Sequence, residues 1–201
     1  MTPDQALGFL RGPTTVEFLQ AYQIKIAGRP GPPSQVVTYY ISSDVTSGTE
    51  IFQITHDEHI YPGNFEFDAH SIYMVPGNAP YNVVALDGYV LDQNGPDLMV
   101  TGMLNGCSFL MKANAARTQV RCAHLRPAPG EGGARLNVRM VNNAGFHGDP
   151  GPLLVYGRAN YPDTQGGRSS TVIGVRKAGV WGIYQQQFDA NGAVLAASRI
   201  L

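Results

Sequence analysis

Short runs of alternating apolar and polar residues, cut by glycine, proline or asparagine, make up most of the chain. A period of two marks a half-buried strand. The alternation is clearest from Thr171, where "TVIGVRKAGVWGIYQQQFDANGAVLAASRIL" predicts paired strands with "DANG" as the turn between "WGIYQQQF" and "AVLAASRIL". "QVVTYYIS" and "TEIFQIT", joined by "SDVTSG", predict another hairpin-like pair. Further strands are expected in "SIYMV", "YNVVALDGYVLD", "DLMVTGML", "CSFLM", "QVRCAH", "RLNVRMVNNAG" and "PLLVYGR". "TTVEFLQAYQIKIAG" reads as one or two strands with Val16, Phe18, Ile24 and Ile26 inward, and "HDEHIYPGNFEFDAH" as an irregular polar loop. One segment reads as a helix: in "TPDQALGFL", Thr2 caps, Pro3 takes the first position, and Gly12-Pro13 ends it.

Eight or more short strands with one or two helices predict a β-rich α+β fold. The expected form is a sandwich of mixed sheets flanked by short helices and loops. The Pro/Gly-dense stretches are loop-sized and no linker divides the chain, so residues 1–201 are read as a single domain.

Composition narrows the function classes. Charged residues make up 14 % of the chain, against about 25 % in an average globular protein. The net charge is -1 with the two signs interspersed, so no basic face for nucleic acid is expected. No apolar run reaches the ~18–20 residues of a membrane span, so no membrane partner is expected. "MTPDQALGFLRG" lacks the basic and apolar regions of a Sec signal. The protein is therefore expected to stay in the cytosol or to leave without a cleaved signal. Two cysteines do not make a disulfide framework.

The candidate chemistry lies in "TGMLNGCSFLMKANAARTQVRCAH", Thr101 to His124. Asn105-Gly106 bends the chain directly before Cys107. A thiol becomes a useful nucleophile when an imidazole helps to remove its proton, and a turn beside it can offer backbone N–H groups to an oxyanion. "CSFLM", "KANAART" and "QVRCAH" fit strand, turn and return strand, which would bring His124 back toward Cys107. The plainer alternative is that Cys107 is a small buried hydrophobe and His124 has no role. Cys122 shares a strand face with His124 and is read as a plain buried thiol.

A rival cluster is His56, Asp57, Glu58 and His59 with Asp68 and His70, whose side chains suit a divalent metal. Its His spacing is i, i+3 rather than the i, i+4 of a helical zinc pair, so a solvated loop is preferred and no metal or cofactor is expected. His147 and Asp149 in "FHGDPG" are read as a turn. There is no G-x-x-x-x-G-K-[ST] phosphate loop and no G-x-S-x-G nucleophile elbow.

Thr101, Leu104-Asn105-Gly106-Cys107 and His124 together resemble the Cys/His glutamine deamidases typified by Burkholderia lethal factor and the catalytic domain of cytotoxic necrotizing factor. Those carry L-S-G-C with a His downstream; here Asn105 stands in place of the Ser. Thr101 matches a Thr six residues before the Cys in the lethal factor. "TPDQALGFLRGPTTVEFLQ" and "TVIGVRKAGVWGIYQQQF" look like its opening and its closing hairpin. The resemblance implies that Cys107 attacks the carboxamide of a glutamine in another protein, with His124 moving protons. It implies that Thr101 orients the imidazole and that the Leu104–Gly106 region helps to form the oxyanion site. It further implies a secreted toxin or effector working in a host cytosol. The target would be a Rho-type GTPase or a translation-initiation RNA helicase, and the protein is expected to be a monomer. "GRPGPPS", "HDEHIYPGN", "RPAPGEGG" and "FHGDPGP" are candidate rims of the substrate cleft. The alternatives are a transglutaminase or thiol protease, and a non-enzymatic β-sandwich binding module with a buried Cys.

Overall fold

The computed structural model describes residues 1–27, 34–46, 49–57, 63–75, 88–142, 151–161 and 168–201. Two helices open the chain. In α1 (Pro3–Arg11) the Thr2 N–H donates to Gln5 Oε1 at 3.0 Å, satisfying an amide at the helix entrance. The stretch expected as strand then divides. Thr15–Ala21 is a second helix, α2, and only Gln23–Ile26 is a strand, β1. Thr15, Phe18 and Leu19 are the buried residues of α2, an i, i+3, i+4 spacing that the alternation of Val16 and Phe18 conceals.

The strands that follow are β2 (Gln35–Thr46), β3 (Thr49–Thr55), β4 (Phe65–Ile72), β5 (Met74–Val75), β6 (Tyr89–Leu91), β7 (Leu98–Thr101), β8 (Ser108–Ala113) and β9 (Val120–Leu125). Helix α3 (Gly133–Asn142) precedes β10 (Leu153–Tyr156), β11 (Ser169–Lys177), β12 (Val180–Phe188) and β13 (Val194–Arg199). The expected polar loop thus contains β4, whose Phe67 and Ala69 turn inward while Glu66 and Asp68 face out. "RLNVRMVNNAG", expected as strand, lies largely in α3. Leu136, Asn137 and Met140 are buried there, and the valines that suggested a strand, Val138 and Val141, are exposed.

The described strands form two mixed sheets. One runs β1-β3-β2-β4-β7-β11-β12-β13, with β1–β3 and β4–β7 parallel. The other runs β10-β8-β9-β5, with β6 pairing the same strand β9. Alternate residues of the larger sheet pack on α1 and α2 through Leu7, Leu10, Phe18 and Ile173. Its opposite face meets the smaller sheet through Met99, Phe109, Met111 and Trp181. The far face of the smaller sheet carries α3 through Leu110, Leu125 and Met140. The layers therefore run helix, sheet, sheet, helix: a single-domain, β-rich α+β sandwich.

The larger sheet curls until its first strand meets its last ones. Gln186, fully buried on β12, accepts a hydrogen bond from the Ile24 N–H at 2.9 Å and donates to the Tyr22 carbonyl at 2.6 Å. Thr171 Oγ1 donates to the Ile24 carbonyl at 3.1 Å. Two side chains thereby take the place of a neighbouring strand along part of the β1 edge.

Candidate active site

The site begins where β4 leaves one sheet and continues as β5 in the other. Ile72 closes β4 and pairs in parallel with Thr101 at the end of β7. Two residues on, Met74 pairs in parallel with His124 on β9. Thr101 shares the parity of Met99 and His124 that of Cys122, so both side chains enter the layer between the sheets. They meet there: Thr101 Oγ1 lies 2.7 Å from His124 Nδ1. The Thr101 hydroxyl proton is committed to the Ile72 carbonyl at 2.9 Å. It follows that Nδ1 carries the ring proton and donates it to Oγ1, which leaves Nε2 as a lone pair. Nε2 is buried and has no hydrogen-bond partner among the described residues. Burial lowers the His124 pKa to about 4, so the ring is neutral at pH 7.

Cys107 stands on the same face. The antiparallel pairing of β8 with β9 sets Phe109 opposite His124, and Cys107 lies two residues before Phe109, diagonal to the imidazole. Its sulfur is 3.7 Å from Met74 Sδ, and no hydrogen bond joins it to His124. The return strand brings His124 to the face of Cys107, as the sequence leads one to expect, and Met74, paired with His124, lies beside the sulfur. Cys107 is 5 % exposed. Burial pushes its pKa up, against the opposing pull of the Asn105 backbone and the Arg126 and Arg158 guanidiniums. Thiol and imidazole are thus both neutral in this arrangement. Cys122 is free, fully buried and strongly raised in pKa by that burial; its sulfur donates to the Tyr89 carbonyl at 3.6 Å.

The bend before Cys107 is held from one side. Gly106 adopts φ +88°, a left-handed conformation that costs a glycine little. Arg158 donates to Asn105 Oδ1 at 2.9 Å and lies over the Tyr161 ring, 5.0 Å from its centroid. Tyr161 OH donates to the Cys107 carbonyl at 2.5 Å. At the start of α3, Gly133 backs so closely on Gly106 that a Cβ there would stand 2.4 Å from the Gly106 oxygen. Of the motif residues, Leu104 is fully buried and its N–H donates to the Ser170 carbonyl at 2.7 Å, so it has no donor left for an oxyanion. The N–H groups of Asn105, Gly106 and Cys107 have no backbone acceptor among the described residues.

Arg158, Tyr161 and Met74 were not singled out from the sequence. Arg158 and Tyr161 reach the motif across separations of 53 and 54 residues, and no local pattern marks them. The rival cluster is not assembled among the described residues. His56 is exposed after β3, Asp68 accepts from Thr38, and His70 is buried between the sheets with Nδ1 2.9 Å from Tyr89 OH. No group of three or more metal-binding side chains occurs among the described residues. Glu58, His59, His147 and Asp149 lie outside them, as do most of the rim segments around Gly28 and Gly148. The "RPAPGEGG" rim lies within them and brings Gly133 against the motif turn. No protein-family model matches the chain, and no curated protein is significantly similar to it in sequence.

Proposed function

We propose that the protein is a Cys–His hydrolase that deamidates a glutamine side chain in another protein. The observation that carries this reading is the Thr101–His124 pair, with a buried Nε2 that has no partner among the described residues, on the sheet face that also bears Cys107. A hydroxyl that fixes the tautomer of an imidazole performs the orienting task of a triad's third member.

The chemistry starts from a neutral pair. As the glutamine carboxamide binds, Met74 gives way and the Cys107 thiol approaches His124 Nε2. Sulfur attacks the carboxamide carbon while Nε2 takes the thiol proton. The oxyanion is held by N–H groups of the Asn105–Cys107 turn. The imidazolium returns the proton to the departing nitrogen and ammonia leaves, giving a thioester. Water then attacks, losing a proton to His124, and the glutamate carboxylate is released with the thiol restored. No cofactor takes part.

The substrate class follows the resemblance: a folded host protein, either a Rho-type GTPase or a translation-initiation RNA helicase. The enzyme acts as a monomeric effector in the host cytosol. Peptide mass spectrometry of host lysate treated with wild type or Cys107→Ala tests this. Gln-to-Glu conversion confined to the wild type identifies the target; no conversion in either sample defeats the reading. A primary amine in the same incubation separates deamidation from transglutamination. A second reading, a non-enzymatic binding module, is favoured by the burial of Cys107 against Met74.

A further inference from the structure

The edge of β1 is closed at one residue and open at the next. The Ala27 N–H donates to the Ile54 carbonyl of β3 at 2.9 Å, so the odd-numbered residues of this segment turn their main-chain groups toward β3. The even-numbered ones turn theirs outward. At Ile24 the outward N–H and C=O are taken by Gln186 and Thr171. At Ile26 they meet no partner among the described residues, and the residue borders a cavity of about 430 Å³. The Ile26 side chain lies in the core against the helices, so its main chain is what the cavity meets.

A second polar group lines the same cavity. Gln23 is 4 % exposed and its carboxamide makes no hydrogen bond among the described residues. It rests against Gly192, where a Cβ would stand 2.9 Å from Gln23 Nε2. The Gln23 amide atoms are not among the enclosed, unpartnered ones, so they face the cavity and can exchange water for a ligand's donor and acceptor. The two groups together present N–H donors and carbonyl acceptors to one cavity, a demand that a main chain satisfies and a hydrocarbon or a simple ion does not.

We propose that this cavity is a docking subsite for an extended polypeptide segment. The segment adds beside Ile26 as a short extra strand and lays one of its amides against the Gln23 carboxamide. Taken with the deamidase reading, on which this further step rests, the occupant is the stretch of the substrate protein flanking the reactive glutamine. Met103, whose side chain is 46 % exposed, lines the cavity and precedes Cys107 by four residues. Four residues span at most ~14 Å. One wall of the cavity thus lies within that span of Cys107, and in the proposed complex the docked segment continues from there to the glutamine.

Amide NMR spectra of the whole protein, titrated with a pool of blocked decapeptides of mixed sequence, test the docking directly. Recognition through the main chain tolerates any sequence, so the Ile26 and Gly192 signals should move and saturate. Gln23→Met, which keeps the side-chain volume, should weaken that response about tenfold. Ile26→Pro, which deletes an N–H outside the sheet ladder, should do the same. Shifts confined to other regions, or an unchanged response in a folded Gln23→Met protein, would overturn the proposal. In parallel, the ratio of kcat/KM for a glutamine-centred decapeptide to that for a blocked Gln-Gly dipeptide should fall about tenfold in Gln23→Met. If wild type converts no glutamine in treated host lysate while Ile26 and Gly192 still respond, the deamidase reading fails and the docking site stands. If it releases ammonia and the ratio is unmoved, the docking site fails alone.

Discussion

Two imidazoles are buried between the sheets, and their immediate surroundings look alike. His124 holds Thr101 Oγ1 at 2.7 Å and His70 holds Tyr89 OH at 2.9 Å, each through Nδ1. Among the described residues neither Nε2 has a geometric hydrogen-bond partner, and burial lowers the pKa of both, with the Pro96 and Asn94 backbone opposing it at His70. They differ in what else is present. His70 is packed against the ring of Trp181, with centroids 5.7 Å apart, and against Gly95, where a Cβ would lie 3.4 Å from Cε1. The surrounding turn is itself locked, because Arg176 and the Trp181 indole donate to the Asp92 carbonyl. His124 instead shares its face with a cysteine on a bend whose N–H groups have no backbone acceptor among the described residues. A buried imidazole with a hydroxyl partner is thus a structural device until a nucleophile and an oxyanion site stand beside it.

Removing the nucleophile should have the largest effect. Cys107→Ala should fold and lose deamidation by about a thousandfold or more, while Cys122→Ser keeps most of it; rates on an identified target check both. Next, the two hydroxyls should separate. Thr101→Val should lower kcat by roughly ten- to a hundredfold, because the tautomer is no longer fixed. Tyr89→Phe should leave kcat nearly unchanged and cost about 1 kcal/mol in denaturant unfolding. A smaller loss, about tenfold in kcat, is expected for Tyr161→Phe, which frees the Cys107 carbonyl but keeps the ring stacked on Tyr156.

The pH dependence of stability should separate the pair more gently. A histidine whose folded pKa is depressed resists the proton that the unfolded chain accepts. Its neutral burial therefore costs nothing above the unfolded value near 6.5, and stability falls as pH drops from there toward about 4. For His124 the fall is on the order of 3 kcal/mol. Unfolding curves from pH 7 to 4 should flatten in His124→Gln, and to a lesser degree in His70→Gln.

The strand content could be read because alternation is local. From Thr171 to Ile200 short runs of alternation are separated by glycine-bearing turns, and β11, β12 and β13 follow directly. The return of β9 to β8 rests on a short turn and was readable for the same reason. Helices α2 and α3 were not, since both carry valines at positions that mimic alternation: Val16, Val138 and Val141. His70 was grouped with His56 and His59 by proximity in sequence, but β4 turns it into the interior. In the candidate site, the bend before Cys107 is written in Asn105-Gly106. The clamp of Arg158 and Tyr161, and the Met74 beside the sulfur, arise from strand order across distant segments and leave no mark in the sequence.

The most direct test of the account sets the two imidazoles against each other. Initial rates of Gln-to-Glu conversion would be measured by mass spectrometry on one target with wild type, His124→Gln and His70→Gln. The expected result is conversion abolished by His124→Gln and retained within a few fold by His70→Gln. Equal activity in the two variants, or full activity in a folded His124→Gln protein, would contradict it.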